Sequence, residues 1–353
     1  MKKKVFAILL TAALVLGLAG CQSKNETDQT VSNTAESSEE TTDDASKGGA
    51  QETDGLKKIK IGVISTGDSY VIEFGNAALN KGYIDEELKN AGYEAEFVGF
   101  ASGVEISEAY AAGQVDAMFI GDFPLLTLSG SGVDVDIFAT LNGQQQYGLL
   151  AGNDSIQSEK DLEGKKIQYI VGTTVSYSWS YYAKAKNIDT NKVETVNSGD
   201  TSLLASGDAD ANYTGLSTAY MYEQNGLGKV VADTFDTPEA TTQFFAATNP
   251  TFGQENEGAI VAIIKALNHA YEDAKTDAEG TYEVLATSFI PKELVEKAYS
   301  FDTTFAYFNP ELTDATAEKL TREKDYLKEI GYLQQDVDVN ALLNTSYYEK
   351  AIQ

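Results

Sequence analysis

A chain of 353 residues with 54 acidic against 26 basic side chains carries a formal charge of −28, which repels phosphate backbones and excludes nucleic acid as a partner. The length exceeds one ordinary core and predicts two lobes. A single cysteine leaves no partner for an internal disulfide, and with a single histidine neither a His-based zinc site nor a Ser-His nucleophile pair is expected.

The first segment, MKKKVFAILLTAALVLGLAGC, joins a basic start to an apolar run and reads as a secretory signal over residues 1–20 rather than a membrane span. Its end, LAGC, resembles the bacterial lipobox. That resemblance implies a lipidated Cys21 and membrane attachment by the lipid anchor alone. Residues 21–55 are rich in Ser, Thr, Asp, Glu and Gly and hold no aromatic residue, so they read as a disordered acidic tether.

Beyond the tether, short apolar runs alternate with amphipathic ones. Strands are expected at 59–64, 95–99, 117–120, 135–139, 148–151, 166–171, 193–196 and 211–213, and helices at 69–81, 103–112, 175–186, 201–206, 257–275, 291–299 and 313–330. This alternation predicts an α/β fold with a mainly parallel sheet covered by helices on both faces.

Within it one unit recurs. AAGQVDAMFIGDFP at 111–124 returns as ASGDADANYTG at 205–215. In each copy a helix closes on glycine, Gly113 or Gly207, in the left-handed conformation that glycine adopts without steric cost. An Asp-Ala pair then opens a strand whose carboxyl end delivers a loop, which is where ligands sit in open α/β sheets. Two such loops facing each other predict a cleft.

The order AYAAGQVDAMFIGDFPLL, GTTVSYSWSYYAKAKNI and LLASGDADANYTG resembles the substrate-binding proteins of ABC importers, nearest the nitrate, taurine and aliphatic sulfonate group, over about residues 57–310. The resemblance implies a type 2 periplasmic-binding-protein fold, with two α/β lobes joined by a two-strand hinge and a ligand cleft between them. Residues 56–143 and 242–353 would form lobe 1 and 144–241 lobe 2, with crossings near 141–149 and 236–245. It also implies a small-molecule solute, an ABC permease with its ATPase as partners, and no cofactor. A monomer is the default expectation.

The ligand-binding residues this places at the cleft are Ser65, Thr66, Gly67, Asp68 and Ser69; Gly121, Asp122 and Phe123; Thr173, Thr174 and Val175; and Asn212, Tyr213 and Thr214. Tyr177 and Tyr213 are expected as walls against an organic ligand, and Trp179 as core. A capped helix start at Thr173 or Thr174 leaves amides for an oxyanion head group, which matters because the cleft is expected to lack arginine. Arg322, the only one, lies about 200° around its helix from Leu320 and is expected in solvent.

His269 flanks the stripe of Ile260, Ile263 and Leu267 and is expected at the surface. If Asp68 and Asp122 faced the cleft, a cationic amine would fit better than a sulfonate or nitrate. The same fold also accommodates a thiamine-pyrimidine precursor as ligand, or a sensor role for a membrane receptor. Enzymatic activity is not expected: the thiamine-pyrimidine synthases that share this fold depend on histidine and a cysteine-rich segment that this chain lacks.

Overall fold

The computed structural model describes residues 55–353 other than 67, 68, 71, 72 and 288, and the side chains of 66–74 lie outside the description. The signal segment, Cys21 and the tether also lie outside the described residues. The chain begins a first sheet with β1 (Lys57–Thr66), β2 (Ser69–Tyr70), β3 (Tyr93–Phe100), β4 (Ala117–Gly121) and β5 (Asp136–Gln145). One residue later it enters a second sheet with β6 (Tyr147–Ala151), followed by β7 (Lys166–Tyr169), β8 (Glu194–Asn197), β9 (Ala211–Gly215) and β10 (Lys229–Asp233). It then returns to the first sheet as β11 (Thr242–Thr248).

The helices of the first half are α1 (Glu73–Asn80), α2 (Tyr83–Asn90), α3 (Gly103–Ala111), α4 (Asp122–Gly130), α5 (Thr174–Ala185), α6 (Ser202–Ser206) and α7 (Leu216–Gln224). After β11 come α8 (Pro250–Glu255), α9 (Glu257–Thr276), α10 (Ala278–Leu285), α11 (Lys292–Tyr299), α12 (Asp314–Glu329), α13 (Val339–Leu342) and α14 (Ser346–Ala351).

The sheets run β2-β1-β4-β11-β5, with β3 on β1, and β10-β6-β9-β7-β8. Each holds a parallel trio, β3-β1-β4 or β8-β7-β9. The strands that carry the chain between lobes break the expected parallel pattern. β11 is antiparallel to β4 and β5, and β6 is antiparallel to β9 and β10. A strand arriving from the opposite lobe enters its sheet from the other end, so it reverses direction.

Side chains alternate along β4 in the way a sheet covered on both faces requires. Ala117 and Phe119 join Ile260, Ile263 and Leu267 of α9, while Met118 and Ile120 join Leu125, Leu126, Leu320 and Leu327 of α4 and α12 on the other face. Each fully buried side chain of this kind contributes roughly 1.5–3 kcal/mol relative to exposure. In the second lobe Trp179 and Tyr182 of α5 pack on Tyr147, Ile167 and Tyr213. Trp179, at 3% exposure, is core as expected.

The repeat has a physical cause. Gly113 and Gly207 both take positive φ, 68° and 81°. Three residues on, the Asp116 amide donates to Lys60 O at 2.8 Å, and its Oδ2 accepts from Lys60 N at 2.8 Å. Asp210 repeats the exchange with Lys166, at 2.8 Å and 2.9 Å. In each lobe one aspartate pins the start of a central strand to its parallel neighbour, using both backbone and side chain.

Candidate ligand-binding cleft

Four helices begin at one cavity of about 250 Å³, two from each lobe. Lobe 1 supplies α3, entered through Ala101, Ser102 and Gly103, and α4, entered through Gly121. Lobe 2 supplies α5, entered through Gly172 and Thr173, and α7, entered through Gly215. First-turn amides have no intrahelical acceptor, and the helix dipole places partial positive charge at each start. None of the described residues lining the cavity carries a charged side chain.

Local bonding decides which amides remain for a ligand. At α5, Ser176 Oγ accepts from the amides of Gly172 and Thr173, both at 3.1 Å, and Thr173 Oγ1 donates to Ile170 O at 2.7 Å. The amides of Thr174 and Val175, whose residues line the cavity, are then the first-turn donors of this helix. At α3, Ser102 Oγ accepts from Glu105 N and Glu105 Oε2 from Ala101 N. That pair of side-chain caps fixes the entry and leaves Gly103 and Val104 at the cavity wall.

The rest of the wall comes from the crossing strands, whose residues are not among the expected site residues. Asn142 and Gln145 of β5 line the cavity and are joined by a 3.2 Å hydrogen bond. Tyr147 of β6, whose hydroxyl lies 2.6 Å from Thr242 Oγ1, and Phe244 of β11 supply its aromatic surface. The run LNGQQQYG held the signal: amides clustered between apolar strand segments need partners, and here they sit at the cleft.

Of the expected site residues, Gly121, Thr173, Thr174 and Val175 meet at this cavity. Gly67 and Asp68 lie outside the described residues, as do the side chains of Thr66 and Ser69. Ser65 is half-buried and does not line the cavity, nor does Thr214. Phe123 is buried, edge-on to Tyr332 at 5.3 Å. Asn212 is buried beneath Gln168, its Nδ2 donating to that carbonyl at 3.4 Å.

Three expectations are corrected. Tyr213 is not a cleft wall: β9 is central and α5 covers it, so its ring stacks on Tyr147 at 5.8 Å and its hydroxyl lies 2.8 Å from Ser178 Oγ. Tyr177 turns from the cavity toward Tyr181 and Tyr326, with centroids at 4.8 and 5.4 Å. Arg322 is not in free solvent but half-buried, with its Nε enclosed and unpartnered. His269 is exposed and stacks on Tyr83 at 3.9 Å.

Asp122 turns away from the cavity. It is 1% exposed, and it accepts from Phe123 N at 2.7 Å and from Gln243 N of β11 at 2.6 Å. Beside it lies Glu323 of α12, also 1% exposed. Burial first, and the Asp122 charge second, push the Glu323 carboxyl well above the usual range, and burial raises Asp122 as well. Lys319, one turn earlier, donates to Gly143 O at 2.8 Å, Thr241 Oγ1 at 2.9 Å and Thr242 O at 3.3 Å. One ammonium thus ties both crossings together, and burial pulls its pKa down to about 8.

Two α/β lobes, a double crossing and a cleft ringed by helix starts define the class of type 2 periplasmic-binding folds. Within that class the chain belongs to the NMT1/THI5 like family, whose profile matches residues 74–280. It is 20% identical over 304 residues, 84% of this chain and 89% of the other, to a Bacillus subtilis (strain 168) protein whose name provisionally assigns it to aliphatic sulfonate binding. It is 28% identical over 148 residues, 41% of this chain and 46% of the other, to the taurine-binding periplasmic protein of Escherichia coli (strain K12).

Among solved structures, the periplasmic sulfonate-binding protein SsuA from Methylobacillus flagellatus KT shares the fold with TM-score 0.72 at 22% identity, covering 85% of this chain and 95% of its own. The desulfurization enzyme DSZB shares it as well, with TM-score 0.68 at 16% identity, covering 84% of this chain and 99% of its own. The family and the named binders fit the resemblance drawn from the sequence.

Proposed function

We propose that this protein is the extracytoplasmic solute-binding component of an ABC importer, capturing a small sulfonate, taurine or nitrate-like anion by hinge closure and handing it to a membrane permease driven by its ATPase. The observation that carries this reading is the cavity itself: four helix starts converge on a space lined by no charged side chain among the described residues. A singly charged oxyanion takes such neutral donors. Ile64, Val104, Pro124 and Phe244 offer the apolar surface an alkyl tail needs. With Asp122 turned into the hinge, the cationic amine reading loses one of its two proposed carboxylates.

In this reading residues 56–143 with 242–353 form one lobe and 144–241 the other, and the ligand stabilises their closed arrangement. Cys21 carries the lipid that holds a monomer at the membrane, and the named relatives support an extracytoplasmic place of work. The protein binds without turning over its ligand, a reading supported by the two binders among its relatives.

A thermal-shift panel of short alkanesulfonates, taurine, nitrate, a thiamine-pyrimidine precursor and alkylamines tests the ligand class, because a ligand of the folded state alone raises Tm by mass action. A shift with a sulfonate or nitrate that Thr174→Ala reduces supports the proposal. A shift with amines alone overturns the ligand class, and release of sulfite from an aryl sulfinate overturns the non-enzymatic reading.

A further inference from the structure

A second cavity, of about 350 Å³, lies against the hinge and shares no lining residue with the cleft. Its walls are Thr140, Gly143 and Gln144 on one crossing, Thr241 and Gln243 on the other, the turn at 306–309 and the first half of α12. Strand alternation separates the two spaces: Gln243 lines this one and its neighbour Phe244 lines the cleft.

Three polar atoms here are unmatched. Arg322 lines the cavity, forms no ion pair among the described residues, and encloses an Nε without a partner. Its sequence neighbour Glu323 makes no ion pair with it, and both Glu323 oxygens are buried without a hydrogen bond. Lys319 is already saturated by three oxygens. Gln243 and Thr140, 2% and 3% exposed, leave Oε1 and Oγ1 buried without hydrogen bonds. Buried polar atoms in this state cost about 1–3 kcal/mol each unless something satisfies them. Around them stand three exposed carboxylates, Glu239, Glu311 and Glu318.

We infer that this cavity is a second binding site, for a small zwitterion of the amino-acid kind, with its carboxylate on Arg322 and its ammonium toward Gln243, Thr140 and the acidic rim. A simple anion would meet the three carboxylates, and a simple cation would meet the guanidinium. A molecule bearing both charges satisfies each. Guanidinium and carboxylate form charge-assisted, two-pronged hydrogen bonds, the strong kind. Because both crossings line the site, its occupant touches the segments that move when the lobes close.

The test is calorimetric titration of the full chain with glycine and β-alanine, with propionate and propylamine as single-charge controls. The site predicts one zwitterion per chain, with each control weaker by roughly tenfold. Arg322→Gln should weaken zwitterion binding by roughly tenfold or more, while Thr174→Ala, which removes one hydroxyl from the other cavity, should leave it unchanged. Glu318→Gln gives an independent reading should the arginine variant fail to fold: glycine should bind less tightly and propionate more tightly. No zwitterion binding, propionate binding as tight as β-alanine, or loss of binding in Thr174→Ala instead of Arg322→Gln would overturn the inference.

Discussion

A β-carbon placed on Gly121 would lie 2.6 Å from Thr174 Oγ1, so the first turns of α4 and α5 touch across the cleft at a point where only glycine fits. Gly121 has ordinary extended backbone, φ −74° and ψ 159°, and its smallness serves approach between lobes rather than a special conformation. Gly121→Val should therefore prop the lobes apart. We expect sulfonate affinity to fall by about tenfold or more, 1.4 kcal/mol per decade, with the ligand-free Tm little changed. A ligand-free Tm that falls as steeply as the affinity would mean the contact is core packing, not closure.

The Asp122–Glu323 pair makes stability depend on pH. Glu323 has a folded pKa raised above its unfolded value by burial first and by Asp122 second. The folded state therefore holds a proton that the unfolded chain gives up above about 4.5, its ordinary value. Stability should fall as pH rises from there, by about 1.4 kcal/mol per unit from this group until its folded pKa is reached. Glu323→Gln keeps the side chain's size and removes the titration. Its Tm should gain on the natural protein as pH is raised from 4.5 to 7 in a melting series, and parallel curves would place the proton elsewhere.

Lys319 should be far less replaceable than an ordinary helix lysine. Lys319→Met strips three hinge oxygens of their donor and leaves the acidic pair uncompensated, at a cost of about 3–5 kcal/mol. Urea unfolding measures it directly. A cost below about 1 kcal/mol, the value for an exposed ion pair, would show that the ammonium does not brace the crossings.

Asp116 and Asp210 make the same exchange in different lobes. Alanine at either position should cost about 1–2 kcal/mol, and the double variant should cost the sum, since the two sites share no partner. Marked non-additivity in denaturant melts would show the lobes to be coupled through these strands.

How far the sequence reveals this molecule depends on what each residue must do locally. The repeat was legible because a glycine with positive φ and an aspartate that pins two strands leave the same mark in both lobes. The start of α5 was legible for the same reason: a threonine cap after a glycine follows local rules. The crossings near 141–149 and 236–245 follow only from the family resemblance: the local pattern ends β5 at Ala139, yet the strand continues to Gln145, with Asn142 and Gln145 on the cleft and Gln144 on the other cavity.

β11 escaped notice because nearly all of it is buried on both faces, so no alternation marks it. On α12 the buried positions are Thr316, Leu320, Glu323 and Leu327. A glutamate on an apolar stripe looks like a solvent-facing residue until its partner Asp122, distant in the chain, is known. Tyr177 and Tyr213 failed as cleft walls on the same ground: which side of a strand or helix start meets the other lobe is a tertiary fact.

The central claim is that a cavity lined by neutral groups holds a small sulfonate by helix-start amides and the Thr174 hydroxyl. Its most direct test is calorimetric titration of the full chain with ethanesulfonate and, separately, ethylamine, repeated with Thr174→Ala. The account predicts one ethanesulfonate per chain at the tighter site, weaker binding there in the variant by about 0.5–1.5 kcal/mol for the lost hydroxyl, and no binding of the amine that the variant changes. Binding of ethylamine with none of ethanesulfonate would contradict it.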